Sequence, residues 1–192
     1  MSEKIIRVGG ACGYWGESAM ATPQFLDAGG LDYIVYDYLA EITMSIMARA
    51  RAKDPEAGYA RDFISAVLEP NLPEIAAQGV KIISNAGGVN PRACGEAARA
   101  LIADAGLDLK VAVVLGDDLI DRKDQFSATE MYSGDGFPDP SKLASINAYL
   151  GAFPIARALA KRADIVITGR SVDSAVTLGA CIHEFGWRPD DW

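Results

Sequence analysis

The sequence predicts an open, layered α/β fold, Rossmann-like, with a mostly parallel sheet and helices on both faces. Three observations carry this. Five apolar runs of strand length are nearly continuous rather than alternating, as strands covered on both faces require. Longer segments of helical period separate them, the alternation expected of βαβ units. Glycine, asparagine and charged residues crowd directly after the runs, where ligands bind in an open parallel sheet.

The first run, 5–8, leads into the loop Gly9-Gly10-Ala11-Cys12-Gly13-Tyr14-Trp15-Gly16-Glu17-Ser18. This is neither G-x-G-x-x-G nor a Walker loop, so Gly10, Gly13 and Ser18 stand either for a glycine-assisted turn or for a cradle of bare amides around an anionic group. The second run, 33–36, is followed by Asp37 and Glu41. A helix is then marked by Leu39, Ile42, Ile46 and Ala50 at helical spacing, with Arg51 and Lys53 in its last turn and Pro55 beyond. A second helical stretch starts at Tyr59 and is expected to break at Pro70 and Pro73.

The third run, 80–83, opens into Ser84-Asn85-Ala86-Gly87-Gly88-Val89-Asn90-Pro91. Asn90 and Pro91 fit the cap and first residue of a helix over 91–105. Asn85, Gly87 and Gly88 are read as backbone left bare for a ligand, with tight packing of the turn as the alternative. The fourth run, 110–115, ends at Gly116-Asp117-Asp118. Adjacent carboxylates at a strand end serve a magnesium ion or a polar substrate, or else are solvated turn formers. The stretch 121–140 is the one long irregular excursion. A helix over 142–162, kinked at Pro154, leads to the fifth run, 165–167, and a last helix covers 174–185.

After the fifth run comes Gly169-Arg170-Ser171-Val172-Asp173. Arg170 is either paired with a carboxylate or aimed at an anionic substrate, and both roles put it in the strand-end cleft. Asp173 is read as a helix cap, and also as a partner of Asp117 and Asp118 in a divalent-cation site. The acid, base or ligand-polarising candidates are Asp37, Glu41, Asp117, Asp118 and Arg170. The anion- or cofactor-holding candidates are Gly10, Gly13, Ser18, Asn85, Gly87, Gly88 and Asn90.

The chain has 192 residues, half of them hydrophobic, and a net charge of −8. No basic stripe exists for nucleic acid. Three unpaired cysteines and the single His183 write neither a disulfide framework nor a zinc site, which fits a reduced cytoplasm. Neither a signal core nor a membrane-spanning apolar run is present. Cys12 lacks a histidine partner, and His183 reads as a helix-end residue.

Six segments, GGACGYWGES, DYIVYDYLAEITMSIMARARAKDP, SNAGGVNP, VAVVLGDD, INAYLGAFPI and ITGRSVDSA, resemble the acyclic terpene utilisation N-terminal family, over nearly the whole chain. The resemblance implies a bacterial-type cytoplasmic protein of acyclic terpenoid breakdown, among enzymes that handle branched acyl-CoA thioesters. It implies a small anionic substrate and a homo-oligomer or a component of a larger complex, but no reaction. Hydration, lyase chemistry and acyl transfer are the enzymatic expectations. A non-catalytic ligand-binding or scaffolding component is the alternative. Relatives continue past Trp192, so the chain is expected to be a single α/β domain, 1–192, forming the first part of the family's N-terminal domain.

Overall fold

A computed structural model describes residues 4–17 and 19–191. Five parallel strands form one sheet in the order β1-β2-β3-β5-β4, so the expected open α/β fold is observed. The strands are β1 (Val8–Cys12), β2 (Tyr33–Tyr36), β3 (Lys81–Ser84), β4 (Val111–Val114) and β5 (Ile165–Thr168). β2 and β5 are buried along their whole length, which is why they read as unbroken apolar runs.

Successive residues of each strand feed opposite layers. Ile34, Tyr36, Ile82, Ile165 and Ile167 pack under α1 (Ala21–Ala28), α3 (Glu69–Gln78) and α4 (Pro91–Asp104). Tyr33, Val35, Ile83 and Val166 pack under α5 (Phe153–Ala160) and α6 (Ala175–Phe185). The chain therefore leaves β3 toward one face and its neighbour β5 toward the other. Divergence of two adjacent strand exits marks the topological switch point, where sheets of this kind bind ligands.

The remaining helix, α2 (Glu41–Lys53), adds Met44, Met47 and Ala48 to the first of these two layers. It lies across the carboxyl ends, tied at its start to the β5 exit through Glu41 and Arg170. Toward its end, Arg51 donates to Val89 O after β3 and to Asp118 after β4. This overturns the expected stripe. Thr43, Met44, Met47 and Ala48 are buried, whereas Ile42 is 71% and Ile46 46% exposed. The buried face joins the core cluster that holds Phe63, Ala86 and Val89, so the methionine side of the helix is buried and the isoleucine side is not.

Four other expectations are corrected. β1 begins at Val8 rather than at residue 5, because Gly9 and Gly10 are strand residues paired with Ile34 and Val35. α1 was not expected, although Pro23 near its start and Gly29-Gly30 behind it are its punctuation. The helix broken at Pro70 is continuous: residues Phe63–Leu68 take π register, widening the turn that Pro70 would crowd, and the Asn71 amide donates to Val67 O at 2.8 Å. Residues 143–152 are not helical. They run as an irregular strap, bridged Asp118↔Asn147 and Leu150↔Ser171, and Pro154 lies in the first turn of α5 instead of kinking a longer helix.

The α5–α6 contact depends on Gly179, where an added Cβ would lie 2.5 Å from Ile155 Cγ2. Gly179→Ala gains helix propensity but overpacks this contact, so a net loss of about 2 kcal/mol is expected. Urea denaturation with an unchanged m-value checks it.

Candidate functional site

The switch point is organised by Arg170, only 4% exposed. Its Nη1 donates to Leu39 O at 2.9 Å and to Asp173 Oδ1 at 3.0 Å. Its Nη2 lies 3.6 Å from Glu41 Oε1. The guanidinium stacks 4.0 Å over the centroid of the Tyr149 ring, and the Tyr149 hydroxyl donates to Glu41. A buried guanidinium needs this many partners, since one left unpaired would carry a large desolvation penalty. Asp173, expected as a cap, makes no capping bond to α6 and serves Arg170 instead.

Beside it stand Asp37 and Asn85. Asn85 is fully buried; its Oδ1 accepts from Tyr38 N at 2.7 Å, and its Nδ2 donates to Asp37 Oδ1 at 2.6 Å. The backbone donor fixes which end of the amide faces Asp37. Burial pushes the Asp37 carboxyl above the ordinary aspartate value, and the charge of Asp173 adds to this, against the Asn85 hydrogen bond and Arg170. The Tyr149 hydroxyl, with Arg170 assisting, holds the exposed Glu41 below its ordinary value. Two carboxyls around one arginine are thus displaced in opposite directions, the pattern that separates acid from base roles.

Asp117 is structural in its geometry. It is 2% exposed, and its Oδ2 accepts from Arg170 N at 2.8 Å and Asn147 Nδ2 at 2.9 Å. Burial raises its carboxyl too, against these two bonds. Asp118 turns away, with Oδ2 on Arg51 at 2.9 Å and Oδ1 accepting from Ile120 N at 3.0 Å. The sequence groups Asp117, Asp118 and Asp173 as one cation site, and the geometry places them on separate partners. Each acid is held by different protein donors, and among the described residues no three acidic, cysteine or histidine side chains converge as metal ligands.

The glycine expectations change similarly. Gly87 and Gly88 are buried against the protein, not bared to a ligand. A Cβ on Gly87 would meet Thr168 O at 2.5 Å. One on Gly88, whose φ is +54°, would meet Met47 Sδ at 2.2 Å. The Gly87 amide itself donates to Thr168 O across the two strand exits at 3.1 Å. Gly10 lies within β1, and the Gly13 amide is already taken by Glu17 Oε2 at 2.7 Å. Ser18 lies outside the described residues. Asn90 caps α4 weakly, at 3.4 Å to Ala93 N, and clasps Pro55 O and Ala57 O through its amide. Burial pushes the Cys12 thiol up to about 12, unsuited to a nucleophile.

Of the sequence candidates, the fold brings together Asp37, Glu41, Asn85, Arg170 and Asp173, and leaves Asp118 and Asn90 on a neighbouring cleft of about 350 Å³ beside the start of α4. Sequence reasoning missed Tyr149, which no local pattern marks. The Leu150↔Ser171 bridge delivers it.

Fold and site together define a parallel α/β protein with a partly buried, arginine-centred polar cluster at its topological switch point. The chain matches the acyclic terpene utilisation family, AtuA, over residues 6–192, and it belongs to that family. No curated protein and no solved structure matches it. Among the described residues no helix is long and apolar enough to cross a membrane.

Arg170→Ala removes the shared counter-charge and leaves Leu39 O without its donor, so a loss of about 3 kcal/mol is expected. Gly88→Ala combines a left-handed backbone with a clash at Met47 and should lose about as much. Thermal melting of both variants, with and without millimolar magnesium, checks these values and finds no metal-dependent recovery.

Proposed function

We propose that the protein is an enzyme, or the acid/base component of one, acting on a carboxylated acyclic terpenoid or its branched acyl-CoA thioester. The observation that carries this reading is Asp37, a half-buried carboxyl raised by burial, oriented by Asn85 and set beside Arg170 where the sheet divides. A carboxylate with a raised pKa is a stronger base than an ordinary aspartate. Hydration, lyase chemistry and acyl transfer each move a proton, and Asp37 is the group placed to take it. Arg170 supplies positive potential next to that proton's path, and Tyr149 and Glu41 close the cluster on its exposed side. Family membership supports the substrate class.

A second reading, a ligand-binding or scaffolding component without turnover, is favoured by one feature. The guanidinium of Arg170 is already committed to Leu39 O, Asp173, Glu41 and Tyr149.

Asp37→Asn separates the two. On the enzymatic reading it lowers kcat/KM on a terpenoid acyl-CoA at least about 100-fold, while ligand affinity and fold persist. The wild-type profile should show activity rising with pH through a value above the ordinary aspartate range, a limb that Asp37→Asn removes. The stability effect has the opposite sign: a raised carboxyl favours the fold most below its ordinary value, and that contribution is lost as pH rises through the folded one. Asp37→Asn should therefore melt no lower than wild type at neutral pH. Binding without turnover by the wild-type protein selects the second reading.

A further inference from the structure

A cavity of about 480 Å³ opens on the flank of α2 away from Tyr149, between that helix, residues 54–62 and the loop after β1. Trp15, Met47, Ala50, Ala57 and Tyr59 line it, with Lys53 at its mouth. Asp54, Arg61 and Asp62 also line it, and the size and the predominance of apolar and aromatic surface match small-molecule sites rather than packing defects. The wall is built, not incidental. The Trp15 indole donates to Asp62 Oδ1 at 2.7 Å, fixing the ring, and the π-helical segment begins at the next residue, Phe63. Such segments recur at functional sites. Met47 backs the wall from the core, and the half-buried Tyr59 supplies its second aromatic ring.

Charge at the mouth is asymmetric. Arg61 is paired with Asp54 at 2.7 Å, and Asp62 is occupied by Trp15, whereas Lys53 makes no ion pair among the described residues. The exposed Ile46 and Ile42 lie one and two turns before Ala50 on the same side of α2. A branched hydrocarbon chain bearing one negative end group fits this arrangement.

We infer that the Trp15–Tyr59 cavity is a binding site for the apolar chain of an acyclic terpenoid, with Lys53 meeting its anionic end. The choice of ligand rests on the substrate class proposed above; the cavity and its charge do not. Occupation buries apolar area against a fixed aromatic wall, and Lys53 adds selectivity for acid over alcohol.

Calorimetric titration of the full chain with geranic acid and with geraniol, its uncharged alcohol, tests this. Wild type should bind both, the acid more tightly. Ala50→Phe fills the cavity from a half-buried position and should weaken both by at least about tenfold. Tyr59→Ala, which adds no bulk, should weaken both as well, and Lys53→Ala should erase the preference for the acid. Asp37→Asn should leave both affinities unchanged, so that loss of turnover without loss of binding is charged to the proposed reaction and not to this site. Undiminished geranic acid binding in folded Ala50→Phe or Tyr59→Ala overturns the inference, as does absence of binding to the wild-type chain. Asp37-dependent turnover whose KM is unaffected by Ala50→Phe overturns it while leaving the proposed reaction intact.

Discussion

Burial of one guanidinium constrains much of the carboxyl edge. Arg170 leaves β5 at the point where the sheet's connections divide, and its charge is tolerable there only because four separate pieces of chain come to meet it. The β2 exit supplies the Leu39 carbonyl, α2 supplies Glu41, the 143–152 strap supplies Tyr149, and the approach to α6 supplies Asp173. Each would otherwise be a surface segment with little reason to adopt one position. The arginine thus converts a set of loops into a defined site, and its planar donor fork suits it to do so where a lysine would not.

Asp117 works from the other side of the same residue. Its carboxylate receives the Arg170 backbone amide and fits against Gly169, where an added Cβ would lie 2.4 Å from Oδ2. Adjacent acids in sequence consequently have different fates. Asp117 is enclosed as a strut between β4 and β5, and Asp118 faces Arg51 and helps hold the far end of α2. Negative charge in this region is balanced by protein donors distributed over several elements, and Asp37 and Glu41 have opposite displacements of acidity.

α2 therefore has two chemical ends. Its first turn belongs to the polar cluster, and its later turns border the apolar cavity closed by Trp15 and Tyr59. Because the core takes Met44, Met47 and Ala48, Ile42 and Ile46 are left on the outer surface of the helix.

The sequence by itself determined the layers. Strands buried on both faces must be apolar throughout, so 33–36 and 165–167 announced themselves, and Asn90-Pro91 wrote the start of α4 through short-range capping. It also placed Asp37, Asn85 and Arg170 at strand ends, because that inference needs only the strand boundaries. What lay beyond it was decided by contacts between residues distant in the chain. The purpose of Gly87 and Gly88 depended on Thr168 and Met47 approaching them, and the face of α2 depended on the core cluster that holds Phe63, Ala86 and Val89. Tyr149 reached Arg170 through a single isolated bridge in an irregular strap. Local pattern carries information only where an element's period is set by a uniform environment. A site assembled from chain segments that meet a buried charge has no such period, and its composition becomes visible only when the charge and its partners are in place.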